Sequence, residues 1–415
     1  MKFILGKTNF LDGGVSVDGA KNAALPILAA SMLCGEQCII RSVPKLSDVL
    51  KMNELLKYIG CDVKHKMKTV NIRAGENLSS HAPYELVSTF RASFLVAAPL
   101  LARFGYAKIC LPGGCAIGNR PIDLHLKGFA ALGARIFTHS GFVELAADKL
   151  TGGRIYLDFP SVGATENLIM AASLASGRSI IENAATEPEI TDLANFINAM
   201  GGDIRGAGTD TITINGVKKL HGTDYTIIPD RIEAGTFMTA ASITGGKINI
   251  KNIIPIHIKP VTAKLREAGA DIKEYGDNIT IAVDKPLMPL NIKTLPFPGF
   301  PTDMQAQFMA LAATAGGTSV IIETIFENRF MNAGELARMG ANIKINGRTA
   351  VVEGVPKLSA AKVRATDLRA GAALIIAGLG AEGETIVEDE GHVDRGYDNI
   401  EKKLKRLGAN IERLE

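Results

Sequence analysis

One two-part phrase returns six times along this 415-residue chain, at intervals of roughly 70 residues. Its first part is an Ala-rich apolar helix that opens on polar or charged residues. These openings are Lys21-Asn22, Arg91-Ala92-Ser93, Ser161-Val162-Gly163-Ala164-Thr165, Asp230-Arg231, Thr302-Asp303 and Asp367-Leu368-Arg369. Its second part is a helix end in which an apolar residue precedes glycine, a small residue, a polar one and a second apolar one. That pattern stands as Ile59-Gly60-Cys61-Asp62-Val63, Leu132-Gly133-Ala134-Arg135-Ile136 and Met200-Gly201-Gly202-Asp203-Ile204. It returns as Ala268-Gly269-Ala270-Asp271-Ile272, Met339-Gly340-Ala341-Asn342-Ile343 and Leu407-Gly408-Ala409-Asn410-Ile411. Six copies restrict the chain to an array of one supersecondary unit. Short β-rich runs, at 39–43, 108–111, 154–157, 211–214, 247–250 and 278–283, flank the helices. Each repeat is therefore expected to alternate strands with two helices, an α/β pattern.

A helix that is apolar nearly all round has no face that tolerates water. The Ala-rich helices are thus expected inside with sheet around them, the inverse of the usual layering. Their first turns carry N–H groups without helical partners and a partial positive charge. Lys21, Arg91, Arg231 and Arg369 add formal charge at those starts. Together they predict a site for a small, highly charged anion such as a phosphate ester. The one break in the array lies near 225–231, where Ile227-Ile228-Pro229-Asp230 ends a strand and restarts a helix. Two lobes of three repeats follow, with a ligand expected in the cleft between them.

The formal net charge of +3 is too small to argue for nucleic acid or a membrane surface as partner. The longest apolar stretches, such as 92–102, fall far short of the ~18–20 residues that span a bilayer. Met1-Lys2-Phe3-Ile4-Leu5-Gly6-Lys7 lacks the long apolar segment of a signal peptide. Cys34, Cys38, Cys61, Cys110 and Cys115 are odd in number and form no CxxC pair, which argues against disulfides and a zinc site. The cytoplasm is the expected compartment.

The loop Leu111-Pro112-Gly113-Gly114-Cys115-Ala116-Ile117-Gly118-Asn119-Arg120-Pro121 is the least ordinary segment. A thiol among three glycines and two prolines is an odd packing choice, because free cysteine usually hides in a core. Cys115 is thus a candidate proton donor or nucleophile, while the other four cysteines read as packing. Asp303, at a helix start, reads as a cap or, among arginines, as a general base. Arg120, Arg329 and Arg395 occupy loops and could join the helix-start arginines in clamping phosphate and carboxylate. His125 could pair with Cys115 as in a cysteine hydrolase, though a hydrogen-bonded core histidine accounts for it as well. Neither GxGxxG after a first strand nor GxxxxGK[ST] is present, so nucleotide-binding fingerprints are absent.

Taken together, several motifs make the chain resemble the UDP-N-acetylglucosamine 1-carboxyvinyltransferase family of the EPSP synthase superfamily, over essentially its whole length. They are Gly19-Ala20-Lys21-Asn22-Ala23-Ala24-Leu25-Pro26, Pro112-Gly113-Gly114-Cys115, Ser161-Val162-Gly163-Ala164-Thr165 and Pro229-Asp230-Arg231-Ile232-Glu233. Phe300-Pro301-Thr302-Asp303-Met304-Gln305, Glu327-Asn328-Arg329-Phe330, Ala365-Thr366-Asp367-Leu368-Arg369 and His392-Val393-Asp394-Arg395-Gly396-Tyr397 complete the set. The resemblance implies two inside-out α/β barrels of three repeats each, one formed by 21–229 and the other by 1–20 with 230–415. It also implies transfer of the enolpyruvyl group of phosphoenolpyruvate to the 3′-hydroxyl of UDP-N-acetylglucosamine, the first committed step of bacterial peptidoglycan synthesis.

By motif, the resemblance makes Cys115, Asp303, Arg395 and Lys21 catalytic. It places Lys21, Asn22, Arg91, Arg120, Arg329, Arg369 and Arg395 around phosphoenolpyruvate. It places Asn22, Arg91, Pro121, Ile122, Asp123, Leu124, Ser161, Val162, Gly163, Asp303 and Ile325 around the nucleotide sugar. No metal or organic cofactor, no nucleic acid, no membrane and a monomeric enzyme are implied. The sister transferase acting on shikimate 3-phosphate, and a binding paralogue without turnover, are the alternatives.

Overall fold

The six glycines that close the helix-end phrase all adopt left-handed backbone, with φ of 112° at Gly60, 90° at Gly133, 95° at Gly201, 105° at Gly269, 87° at Gly340 and 93° at Gly408. In each copy the N–H of the following residue returns to a carbonyl five residues back. These bonds run from Cys61 to Leu56, Ala134 to Phe129, Gly202 to Ile197, Ala270 to Leu265, Ala341 to Leu336 and Ala409 to Leu404, at 2.9 to 3.1 Å. That is the Schellman ending, which glycine permits because it has no Cβ to clash. The repeat seen in the sequence is therefore a repeated way of stopping a helix and launching a strand. The computed structural model describes residues 1–88, 90–111 and 122–415.

Each stop feeds a four-stranded sheet, and six such sheets share one pattern: an edge strand parallel to the second, then two antiparallel pairings. In one of them Asp224–Thr226 runs parallel to Gln37–Arg41, which pairs antiparallel with Thr69–Arg73, itself antiparallel to Asp62–Lys66. Burial alternates along these strands, as in Lys247–Lys251, so one face covers the helices and the other meets water. The strand limits lie within two residues of those read from the sequence.

The Ala-rich helices are interior, as their composition requires. Lys21–Ala30, Val162–Ser173, Arg231–Thr244, Gln305–Ala312 and Leu368–Gly380 are buried along nearly their whole length. One opening differs from a plain α-helical start. Arg91–Val96 is a 3₁₀ turn that becomes α-helical only at Ala97–Phe104. Pro99 falls in the first turn of that α-helix, where a missing N–H is tolerated.

The described residues divide into two units, Met1–Asp18 with Pro229–Glu415, and 19–111 with 122–228. Each holds three sheets and three interior helices around its own core. The first strand closes the last repeat: Lys2–Gly6 takes the third position in the sheet of Lys362–Arg364, Glu384–Glu388 and Ile411–Leu414. Asp12–Ser16 then forms the parallel edge of the sheet containing Lys247–Lys251. The inside-out α/β architecture of six repeats is thus observed. Among the described residues, no helix is long and apolar enough to cross a membrane. Cys34, Cys38, Cys61 and Cys110 are free thiols, the first three buried, as the packing reading requires.

Candidate active site

In the unit built from Met1–Asp18 and Pro229–Glu415, two helix starts and a loop arginine meet around one carboxylate. Asp303 lies in the 3₁₀ turn Thr302–Met304 that leads into Gln305–Ala312. Its Oδ1 accepts from Arg329 Nη2 at 2.8 Å and its Oδ2 from Arg369 Nη2 at 3.2 Å. Both guanidiniums are almost wholly buried, each side chain 2 % exposed, while that of Asp303 keeps 28 %. Burial by itself pulls the Arg369 pKa down, but Asp303, with Tyr397 and Asp230 behind it, holds it above the usual guanidinium value. The two buried guanidiniums converge on Asp303, and an arriving anion can compete with its carboxylate for them.

Asp303 is not a cap. Neither Thr302 nor Asp303 caps the turn, because the cap position falls on Pro301. The Thr302 hydroxyl goes instead to Glu323 Oε2 at 2.9 Å. Capping is done elsewhere: Asp230 accepts from the N–H groups of Ile232 and Glu233, and Asp367 from those of Arg369 and Ala370. Ser161 accepts from Ala164 N–H at 3.4 Å. Half of the six starts are therefore occupied by their own side chains. The starts at Lys21, Arg91 and Thr302 have no side-chain cap. This narrows the expectation that all six would offer N–H groups to an anion.

Several partners escaped the sequence reading. Arg369 Nη1 donates to the buried Tyr397 hydroxyl at 3.2 Å, which also contacts Thr236 Oγ1 at 2.9 Å and Gln307 Nε2 at 3.2 Å. Arg395 ends the 3₁₀ turn Val393–Arg395, partly exposed. Its neighbour Asp394 accepts both Nη atoms of Arg413, at 2.8 and 2.6 Å, which fixes the turn to the last strand. Ile325 is half-buried, and its N–H donates to Glu323 Oε1 at 2.8 Å. A glutamate inside the apolar run Ile321-Ile322-Glu323-Thr324-Ile325 was the one signal that could have marked Glu323.

The other unit carries a second group of predicted residues. Lys21 opens its helix, is buried, and has its Nζ 3.4 Å from Asp48 Oδ2 on the helix Ser47–Ile59. Asn22 and Arg91 are partly exposed at their helix starts. Asp123–Ala131 packs against Val162–Ser173, bringing Ile122, Asp123 and Leu124 beside Ser161, Val162 and Gly163. The two helices come nearest at Gly128, where a Cβ would lie 2.3 Å from Leu168 Cδ2, and a Cβ at Gly163 would lie 3.3 Å from His125 Cε1.

His125 itself is buried, sits edge-on to Phe94 with ring centroids 5.1 Å apart, and has its Nδ1 2.8 Å from Asn167 Nδ2. Burial, with a smaller contribution from the charge of Arg91, pushes its pKa down to about 3. A ring so resistant to protonation is a packing element, in line with the core reading. Cys115, Arg120 and Pro121 lie outside the described residues.

Comparison with known proteins identifies the family. The sequence model of the EPSP synthase (3-phosphoshikimate 1-carboxyvinyltransferase) family matches residues 5–404. UDP-N-acetylglucosamine 1-carboxyvinyltransferase 1 of Caldanaerobacter subterraneus subsp. tengcongensis is 58 % identical over 99 % of both chains. UDP-N-acetylglucosamine 1-carboxyvinyltransferase 2 of Carboxydothermus hydrogenoformans is 57 % identical over 100 % of this chain and 99 % of its own. Among solved structures, the enolpyruvyl transferase NikO of Streptomyces tendae superposes with a TM-score of 0.88 at 26 % identity, covering 99 % of this chain and 98 % of that one. With its inside-out repeats and its carboxylate held by buried arginines, the chain belongs to the EPSP synthase family, on the branch of the UDP-N-acetylglucosamine 1-carboxyvinyltransferases.

Proposed function

We propose that the chain transfers the enolpyruvyl group of phosphoenolpyruvate to the 3′-hydroxyl of UDP-N-acetylglucosamine and releases phosphate, as a monomer in the cytoplasm at the entry to peptidoglycan synthesis. The observation that carries this reading is Asp303 held at both oxygens by buried Arg329 and Arg369. A base for the sugar hydroxyl and cations for the phosphate and carboxylate of phosphoenolpyruvate are then neighbours. The relatives' shared name supports the choice of acceptor.

The steps follow from the charges. Phosphoenolpyruvate competes with Asp303 for the two guanidiniums, and each one drawn to the substrate frees a carboxylate oxygen to take up a proton. The 3′-hydroxyl adds to C2 and gives its proton to Asp303, while Cys115 protonates C3. The tetrahedral ketal then loses a C3 proton to the Cys115 thiolate. Phosphate departs with the proton from Asp303, and the double bond returns. We assign Lys21, Asn22, Arg91, Arg120 and Arg395, with Arg329 and Arg369, to phosphoenolpyruvate, where they stabilise the charge that moves onto the leaving phosphate. Pro121, Ile122, Asp123, Leu124, Ser161, Val162, Gly163 and Ile325, together with Asn22, Arg91 and Asp303, are assigned to the nucleotide sugar.

Turnover in D₂O tests the route. The methyl of the ketal acquires one solvent deuteron and then loses one of its three hydrogens. The vinyl CH₂ of the product should therefore contain deuterium, detectable by mass spectrometry. A product formed with protium alone would exclude addition and elimination. The Cys115→Ser variant should stay folded and lose nearly all turnover.

A further inference from the structure

Glu323 is a buried carboxylate, 1 % exposed, that no step of the reaction uses. It follows the strand Thr318–Ile322 and gathers four donors, none of them charged. Its Oε1 accepts from Thr294 Oγ1 at 2.9 Å, from Ile325 N–H at 2.8 Å and from Phe326 N–H at 3.1 Å. Its Oε2 accepts from Thr302 Oγ1 at 2.9 Å. Among the described residues no cation pairs with it. Burying a carboxylate on neutral donors alone is costly, so a side chain kept in this state must fix geometry that a cheaper residue would not.

What it fixes is specific. Thr302 immediately precedes Asp303, and Ile325 is one of the residues assigned to the nucleotide sugar. One side chain thus ties the turn that carries the base to the segment that carries a nucleotide contact, through opposite oxygens. Thr294 strengthens the link from below, since its Oγ1 also accepts from Thr324 N–H at 2.9 Å and its carbonyl accepts from Thr324 Oγ1 at 2.6 Å. We infer that Glu323 is a positioning residue of the transfer reaction, holding Asp303 through Thr302 and the nucleotide contact through the Ile325 and Phe326 backbone. This rests on the function proposed above.

The two arms predict different kinetics. Thr302→Val removes only the Oε2 arm, so kcat should fall on the order of tenfold while the KM for UDP-N-acetylglucosamine stays within about twofold. Glu323→Ala removes both arms and strands two backbone N–H groups, so kcat should fall and that KM should rise, each by about tenfold or more. Glu323→Gln can keep its oxygen on the backbone donors and turn its NH₂ to the Thr302 hydroxyl, which can accept as well as donate. It should recover both parameters to within about threefold of the parent enzyme. If Thr302→Val, which preserves shape and does not depend on Glu323→Ala folding, leaves kcat unchanged, the inference is wrong. A Glu323→Gln as damaged as Glu323→Ala would overturn it too, by showing that charge and not donor geometry matters. Absence of turnover in the unsubstituted protein would instead sink the proposed function itself, so the two failures are distinct.

Discussion

Asp303 shows how far a residue's surroundings can change its reading. As a sequence position it is one acidic group at a helix start; in the structure it is the shared acceptor of two buried guanidiniums. Asp303→Asn keeps the shape and removes the base. Turnover should drop by about 10²–10⁴, and the melting temperature should fall as well, because buried Arg329 and Arg369 lose the carboxylate they share. Arg369→Lys is predicted to cost about 10² in kcat/KM for phosphoenolpyruvate, because one ammonium cannot reach both Asp303 and Tyr397 as the planar fork does. Steady-state kinetics with each substrate varied would check both, and an active Asp303→Asn would remove the base. The residues that recur at helix starts were legible because their position repeats. Glu323, Tyr397 and Asp48 were not, since their partners lie far away in sequence and only the fold assembles them.

At the scale of the element, the Schellman endings were the most legible feature, because a positive φ restricts the residue strongly enough to leave glycine at all six sites. Gly269 isolates this term, for a Cβ there would meet nothing within 4 Å. Gly269→Ala should therefore cost about 1–2 kcal/mol from backbone strain alone, read from urea unfolding. An unchanged midpoint would contradict that account. His125 supplies a pH-dependent element where Asp123–Ala131 meets Val162–Ser173. Its pKa falls from 6.5 in the unfolded chain to about 3 in the fold, so the unfolded state binds the proton more readily below 6.5. Stability is then full above pH 6.5 and is lost as the pH falls toward 3. Between pH 7 and 4 the parent should lose roughly 3 kcal/mol more than a His125→Gln variant, again by urea unfolding. The starts of elements were harder to read than their ends. Thr302 and Asp303 suit a cap, yet Pro301 takes that position and both side chains turn to partners in the site.

At the scale of the whole molecule, six sheets with one strand order follow from the repeat, but their closure does not. Nothing in the phrase says that Lys2–Gly6 should complete the last sheet, because that pairing joins the two ends of the chain. The return passes through a buried charge cluster in which the Lys403 ammonium, 14 % exposed, reaches Asp18 Oδ2 at 2.6 Å and also Glu233. Asp18 N–H donates to Glu233 Oε2 at 2.7 Å, and Asp230 N–H to the Asp18 carbonyl at 2.8 Å. The cluster thus joins the segment ending at Asp18 to the start of Arg231–Thr244. Lys403→Met would remove the cation that two buried carboxylates share and should cost about 3–5 kcal/mol; a melting temperature equal to the parent's would contradict the clamp.

Enolpyruvyl transfer to a nucleotide sugar would be read from the initial rate of phosphate release from phosphoenolpyruvate. UDP-N-acetylglucosamine and shikimate 3-phosphate would be offered separately as acceptors. Release with the nucleotide sugar alone is the predicted result, and release with shikimate 3-phosphate, or with neither acceptor, would contradict it.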